Sequence, residues 1–239
     1  MRSSRIYFAE KLTSANLIDL DGEVAHYLLR VLRLKTGDGF SLFNSSDGEY
    51  CAEIISIQRS QLTAKINEPV INKADPKLVI NLGLGLSRGE RMDYAIQKST
   101  ELGVGTITPL LTARSEVKLP QDRLDKKHQH WQKVAISACE QCGRNAIPTI
   151  NAPATLEQWV AENSPGLVLD HRGTERIEQQ KFDNAVSLLV GPEGGLSEEE
   201  LQTARQNQFA VVKAGPRILR TETAPVVALS LVQYLFGDI

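Results

Sequence analysis

A chain of 239 residues that is 41% apolar and 23% charged reads as a soluble globular protein of one large or two ordinary domains. A formal net charge of -2 gives no global nucleic-acid signature. No apolar run reaches the ~18 residues a membrane span needs, and Met1-Arg-Ser-Ser-Arg-Ile has no apolar core behind it, so a cytoplasmic protein without a secretory signal is expected.

The first part of the chain holds short β-rich runs at residues 5–9, 39–44, 49–57 and 61–67, separated by the turn signals Thr36-Gly-Asp-Gly and Ser45-Ser-Asp-Gly. Such close spacing predicts a small barrel or sandwich. Between the first two runs, Arg30-Val-Leu-Arg33-Leu-Lys35 puts Arg30 and Arg33 at i, i+3, on one face if helical, with His26 one turn earlier. Leu28, Leu29, Val31, Leu32 and Leu34 would then point inward, and the cations form either a phosphate-contacting patch or an ordinary solvated face. Residues 67–76 are polar and hold two prolines, which marks a linker and divides the chain into domains 1–72 and 73–239.

Beyond residue 76 the rhythm changes. Residues 78–86, 106–111, 167–170, 187–190 and 209–214 read as buried strands, and 90–102, 122–141, 155–162, 197–206 and 225–236 as helices. The alternation predicts an α/β fold, a mostly parallel sheet with helices on both faces. The first of these helices is framed by Ser87 and Glu90 as a capping box, an apolar stripe of Met92, Ile96 and Leu102, and Gly103 as its stop. From Arg88 to Arg144, including Glu116, Lys118, Asp122 and Arg123, ten Lys/Arg stand against seven Asp/Glu, a local cationic surplus. Cys51, Cys139 and Cys142 cannot all pair, and the lone C-x-x-C has neither a second pair nor histidines at ligand spacing, so structural thiols and no metal are expected.

Two late segments carry the chemistry. Gly191-Pro-Glu-Gly-Gly195 follows the apolar run 187–190, and Ser197 with Glu200 forms a capping box that starts the next helix. The second segment, Gly215-Pro-Arg-Ile-Leu-Arg-Thr-Glu-Thr-Ala224, crowds Arg217, Arg220 and Glu222 around Ile218 and Leu219 before another apolar stretch. Both sit where strands hand over to helices, the edge at which open α/β sheets bind ligands. Glycine-rich backbone there can bend sharply and offer bare N–H and C=O groups to a flat heterocycle.

Gly191-Pro-Glu-Gly-Gly-Leu-Ser-Glu-Glu-Glu, Arg217-Ile-Leu-Arg-Thr-Glu-Thr-Ala, Gln97-Lys-Ser-Thr-Glu-Leu-Gly-Val and Glu140-Gln-Cys-Gly-Arg-Asn together resemble the RsmE-type 16S ribosomal RNA uridine-N3 methyltransferases of the SPOUT superfamily. Leu196 stands where an aromatic residue is common in that family. The resemblance runs from end to end and implies a PUA-like β-barrel RNA-binding domain, then a SPOUT domain with a deep C-terminal trefoil knot, a topology that general folding rules disfavour. It further implies a homodimer that uses S-adenosyl-L-methionine to methylate N3 of a uridine in the 16S rRNA of the small ribosomal subunit. The cofactor would rest on Leu169, Val190, Gly191, Glu193, Gly195, Gly215, Ile218, Leu219 and Ala224.

Methyl transfer to a ring nitrogen is an in-line displacement, and N3 of uridine gives up its lone pair only after losing a proton. Arg220 can hold the resulting anion through the flanking carbonyl oxygens. Glu222 can take the proton, orient Arg220, or merely lock the loop as an ion pair. N3 is hidden in a base pair, so the target must be unpaired or extruded. Arg30, Arg33, Arg88, Arg91, Arg114 and Arg144 become candidate phosphate contacts. Two rivals share these motifs: a SPOUT enzyme acting on a ribose 2′-hydroxyl, and a non-catalytic RNA-binding assembly factor; a C-x-x-C redox protein is a more distant third.

Overall fold

A computed structural model describes residues 4–72, 74–115 and 121–239, the side chains of residues 121–123 excepted. Glu116 and Lys118 of the basic stretch, the side chains of Asp122 and Arg123, Lys73 of the linker, and the first three residues lie outside the described residues. Two compact units result: Met1–Asp75 with Cys139–Ile147, and Pro76–Ala138 with Pro148–Ile239.

The first unit contains β1 (Arg5–Tyr7), β2 (Leu17–Leu20), α1 (Gly22–His26), a π-helical turn at Tyr27–Val31, β3 (Gly39–Asn44), β4 (Gly48–Gln58) and β5 (Gln61–Val70). They form a five-stranded sheet in the order β1-β3-β4-β5-β2, antiparallel except where β1 meets β3. Leu28, Phe40, Leu42, Ile54 and Ile66 fill its core. β2 was not legible as a strand, because it is four residues long at a sheet edge and leaves Leu17 64% exposed. β5 continues through Pro69, so the linker is shorter than its composition predicts. Pro69 is tolerated opposite Tyr50 because the register with β4 breaks there.

The cationic helix is corrected. Leu32 N–H donates to the Tyr27 carbonyl (2.9 Å) and Leu34 N–H to that of Leu28 (3.0 Å), which widens the last turn and ends it. Arg33 then lies beyond the helix with φ +58°, so Arg30 and Arg33 do not share a helical face. Val31, expected inward, is 57% exposed.

Residues 139–147 group with this unit, whereas a boundary at 72/73 assigns them to the second domain. Arg5 explains the difference: its guanidinium donates to the Cys139 carbonyl (2.6 Å), to Asn145 Oδ1 (2.6 Å) and to Glu49 Oε2 (3.1 Å). Glu140 accepts from Tyr7 N–H (3.0 Å), and Asp75 from Asn145 N–H (2.9 Å). These partners lie up to 140 residues apart in sequence, beyond the reach of any local pattern.

The second unit runs β6 (Val79–Gly85), α2 (Glu90–Glu101), β7 (Thr106–Leu111), α3 (Gln121–Cys142, its last turn in the first unit), β8 (Thr149–Ile150), β9 (Ala154–Thr155), α4 (Leu156–Glu162), β10 (Gly166–Leu169), a 3-10 turn at Ile177–Gln179, β11 (Ala185–Val190), α5 (Glu198–Gln206), β12 (Phe209–Val212) and α6 (Thr223–Phe236). Every pairing in its seven-stranded sheet is parallel, in the order β12-β10-β11-β6-β7-β8 with β9 also on β7. Side chains alternate across the sheet. Leu167, Leu188 and Val212 join a core with α2, α3 and α6, while Val168, Leu189 and Val211 join one with α4 and α5.

Gly103 ends α2 as predicted. At φ +86° it lets Val104 N–H reach the Ser99 carbonyl (3.0 Å) while its own N–H meets that of Thr100 (3.1 Å), a Schellman closure. The proposed Ser87–Glu90 capping box does not form. The N-cap is Gly89, and Ser87 Oγ instead donates to the Gly85 carbonyl (3.2 Å) and meets Thr221 Oγ1 (3.1 Å).

Candidate functional site

Register decides where the site lies. Leu169 pairs with both Val190 and Val212, and Val190 with Leu84, so β12, β10, β11 and β6 end in one row. The loops that follow open at a single edge, the carboxyl end at which parallel sheets bind ligands. There a cavity of about 410 Å³ is lined by residues 169–171, 190–196, 213–215 and 217–222, with Arg91 and Ala224. All nine residues expected to hold the cofactor line it: Leu169, Val190, Gly191, Glu193, Gly195, Gly215, Ile218, Leu219 and Ala224. Arg220 and Glu222 line it too.

The 191–195 loop owes its shape to missing side chains. Gly195 has φ +67°, a conformation L side chains rarely adopt, and its N–H closes a turn onto the Pro192 carbonyl (2.9 Å). Gly194 lies against Arg114, whose Cβ would be 2.9 Å from an added methyl and whose Nη1 donates to the Gly194 carbonyl (3.1 Å). The capping box forms as predicted: Glu200 N–H donates to Ser197 Oγ (3.1 Å) and Ser197 N–H to Glu200 Oε2 (2.7 Å). Glu200 also accepts from Ala113 N–H through Oε1 (2.7 Å) at 5% exposure, tying a second loop to this one. Glu200→Ala leaves the Ala113 and Ser197 N–H groups without their carboxylate acceptor and removes the side-chain half of the capping box. A loss of about 2–3 kcal/mol is expected, read as a lower urea midpoint at unchanged slope.

Two clamps went unread in the sequence. Thr221 Oγ1 donates to the Gly191 carbonyl (3.2 Å), stapling one glycine loop to the other. Arg172 grips Asp170 through Nε (2.8 Å) and Nη2 (2.9 Å) and reaches the Leu196 carbonyl (2.8 Å). Burial opposes ionisation of Asp170, but these bonds outweigh it and hold its carboxyl below the ordinary aspartate range. A bidentate pair only two residues apart is a recognisable local signal; the reach to Leu196 is not.

Arg220 and Glu222 are brought to the same cavity but not to each other. Arg220 is exposed, and among the described residues its guanidinium has no hydrogen-bond or ion-pair partner. Glu222 Oε2 faces Arg91 Nε at 3.9 Å, so Arg91 takes the place that sequence reasoning offered to Arg220. Arg91 Nη1 also meets Glu193 Oε1 (3.2 Å), which accepts from Arg88 N–H as well (3.2 Å). Burial works against the charge on Glu193, yet backbone N–H groups and Arg91 hold its carboxyl below the usual glutamate range.

The candidate phosphate contacts separate. Arg30, Arg33, Arg88 and Arg114 are exposed, whereas Arg91 belongs to the cavity wall. Arg144 is 3% exposed and is removed from the accessible set, because the loop it sits on is drawn into the first unit by Arg5, Asn72 and Asp75. The three cysteines are free thiols. Among the described residues no three His, Cys, Asp or Glu side chains are placed to hold a metal ion, and no helix is long and apolar enough to cross a membrane.

Comparison with known proteins matches residues 74–233 to an RNA methyltransferase domain and residues 20–67 to an RNA methyltransferase PUA domain. Ribosomal RNA small subunit methyltransferase E of Buchnera aphidicola (Schizaphis graminum) is 38% identical over 242 residues, covering 100% of this chain and 98% of its own length. The putative methyltransferase Lpg2936 of Legionella pneumophila, solved with bound S-adenosylmethionine, superposes at TM-score 0.95 with 37% identity and complete coverage of both chains. Ribosomal RNA small subunit methyltransferase E of Neisseria gonorrhoeae, also bound to S-adenosylmethionine, gives TM-score 0.93 at 32% identity, again over 100% of each chain.

Proposed function

The chain belongs to the ribosomal RNA small subunit methyltransferase E family, and from that premise we propose that the atom it methylates is N3 of a uridine in the small-subunit rRNA. It is an rRNA methyltransferase that uses S-adenosylmethionine. The residues present fit that cofactor: the cavity volume falls in the ~300–1,000 Å³ range of small-molecule sites, and apolar Leu169, Val190, Ile218 and Ala224 alternate with bare glycine backbone. Glu193 Oε2 is buried without a hydrogen-bond partner among the described residues and offers a carboxylate to a cationic ligand.

The bound cofactor supplies a sulfonium-activated methyl group. This chain's residues must then align the acceptor, exclude water and move one proton. The imide proton leaves N3 for Glu222, the electron pair stays on nitrogen, and Arg220 donates to the carbonyl oxygens onto which that charge spreads. The observation that carries this reading is the convergence, on the cavity lined by the nine residues expected to hold the cofactor, of an unpartnered guanidinium and a carboxylate whose buried Oε2 has no hydrogen-bond partner among the described residues. Small subunits from a strain lacking the gene, incubated with the protein and labelled S-adenosylmethionine, should yield labelled 3-methyluridine on nucleoside analysis. Label in a ribose-methylated nucleoside, or no label, overturns it.

A C-terminal trefoil knot accords with the return of β10, β11 and β12 to pair beside β6. A cytoplasmic homodimer accords with an rRNA substrate and with exposed Tyr234 (72%) and Leu235 (37%) at the end of α6. In the first unit, Arg30 and Arg33 are exposed, as is Tyr27 (42%) in the same short stretch of chain, and cations with an exposed aromatic ring suit single-stranded RNA. Arg30→Ala with Arg33→Ala should weaken RNA binding and reduce the slope of log K against log[salt] by about 1.4, roughly 0.7 for each phosphate no longer neutralised. An unchanged slope removes both residues from the RNA interface.

A further inference from the structure

Arg91 stands in the first turn of α2 and reaches two carboxylates from two different loops. They are not held equally. Glu193 Oε1 is hydrogen-bonded by Arg91 and by a backbone N–H, both at 3.2 Å. Glu222 Oε2 stands 3.9 Å from the guanidinium, in range for attraction but too far for a hydrogen bond, and it is buried with no donor among the described residues. A buried carboxylate oxygen left in this state is costly unless something arrives to use it. Lys213, Arg217 and Arg220 also line the cavity but make no ion pair with Glu222 among the described residues, and Asp170 is engaged by Arg172 and by His171 (3.5 Å).

We infer that Arg91 is a positioning residue for Glu222, not a phosphate contact: Glu193 anchors the guanidinium, and the guanidinium orients the Glu222 carboxylate while leaving Oε2 without a hydrogen bond, so that it can take the N3 proton of the bound uracil. The inference rests on the N3-methylation reading above. In the step it serves, the N3–H bond breaks and the proton forms an O–H bond with Glu222 Oε2. The pair left on N3 forms the bond to the methyl carbon as the carbon–sulfur bond breaks, its electrons returning to sulfur. Glu222 gives the proton to water after product leaves. Glu193 acts at one further remove, because without it the guanidinium is free to swing onto Glu222 and hydrogen-bond the oxygen that must take the proton.

The test is a double-mutant cycle on the full-length protein. Glu222→Gln should lower kcat by about 10²-fold or more, as expected for loss of a general base. Arg91→Gln in the native background should lower kcat about tenfold or more with KM for RNA within about twofold, and in the Glu222→Gln background should cost less than about twofold, because the residue it acts through is gone. Arg91→Lys should recover part of the loss, since a point charge retains the attraction while losing the fork held by Glu193. The salt slope of RNA binding should be unchanged in Arg91→Gln. Equal losses in both backgrounds, or a loss that appears in RNA affinity and its salt slope, overturns the inference. Absence of 3-methyluridine from the unaltered enzyme instead overturns the reading beneath it, so the two failures are distinguishable.

Discussion

Arg220→Ala is expected to lower kcat by about 10²–10³-fold while leaving S-adenosylmethionine affinity within about twofold. That is the range seen when one preorganised donor is removed from a site where negative charge develops. The structure supports so selective an effect because the Arg220 side chain braces nothing: it has no partner among the described residues, and its backbone carbonyl, which accepts from Thr223 N–H and Ala224 N–H (2.9 Å each), is kept by alanine. Single-turnover kinetics with calorimetry separate the two quantities. A fall in cofactor affinity matching the fall in rate would make Arg220 a binding residue and return the charge on the acceptor to some other group.

Gly85→Ala should be nearly as damaging for a different reason. Gly85 closes β6, and an added Cβ would run into the Pro192 nitrogen, lie 2.5 Å from Pro192 Cδ and 2.8 Å from the Gly191 carbonyl carbon. None of these can retreat, because Gly191 is held by Thr221 on its far side and Gly195 closes a turn back onto Pro192. Overpacking of this kind costs about 1–3 kcal/mol, and a displacement near 1 Å at a positioning loop can cost ~10²-fold in rate. A lower melting temperature, with S-adenosylmethionine affinity down at least tenfold, is the expected pair of results. A variant that melts lower yet binds normally would show that the loop finds its shape without this strand end.

The second unit was legible in sequence except for β8 and β9, two residues each and too short to give a pattern. Continuous apolar runs bounded by glycine and helical stripes of ten residues or more are strong local signals, and parallel strands buried on both faces display them fully. The first unit was less legible. β2 is short and half exposed, and the expected cationic helix ends early because a π-turn buries Leu28 and turns Val31 outward, a choice that propensity does not encode. Among site residues the glycines, Ser197 and Glu200 were readable because each answers a local backbone need. Thr221, Ser87 and the roles of Arg91 and Glu193 were not, since each acts on a partner between 30 and 134 residues away.

By itself the sequence determined the alternating α/β order, the two glycine-bearing connections and the residue types able to bind a cofactor and stabilise an anion, because periodicity, capping and turn chemistry operate within a few residues. Only the tertiary structure decided that β10, β11, β12 and β6 end in one row, so that three separate loops close on one cavity. It also decided that Glu222 answers to Arg91 and not to its sequence neighbour. Which charges meet is set by strand order and register, and those follow from burying both faces of the sheet at once, a condition no short stretch of chain contains.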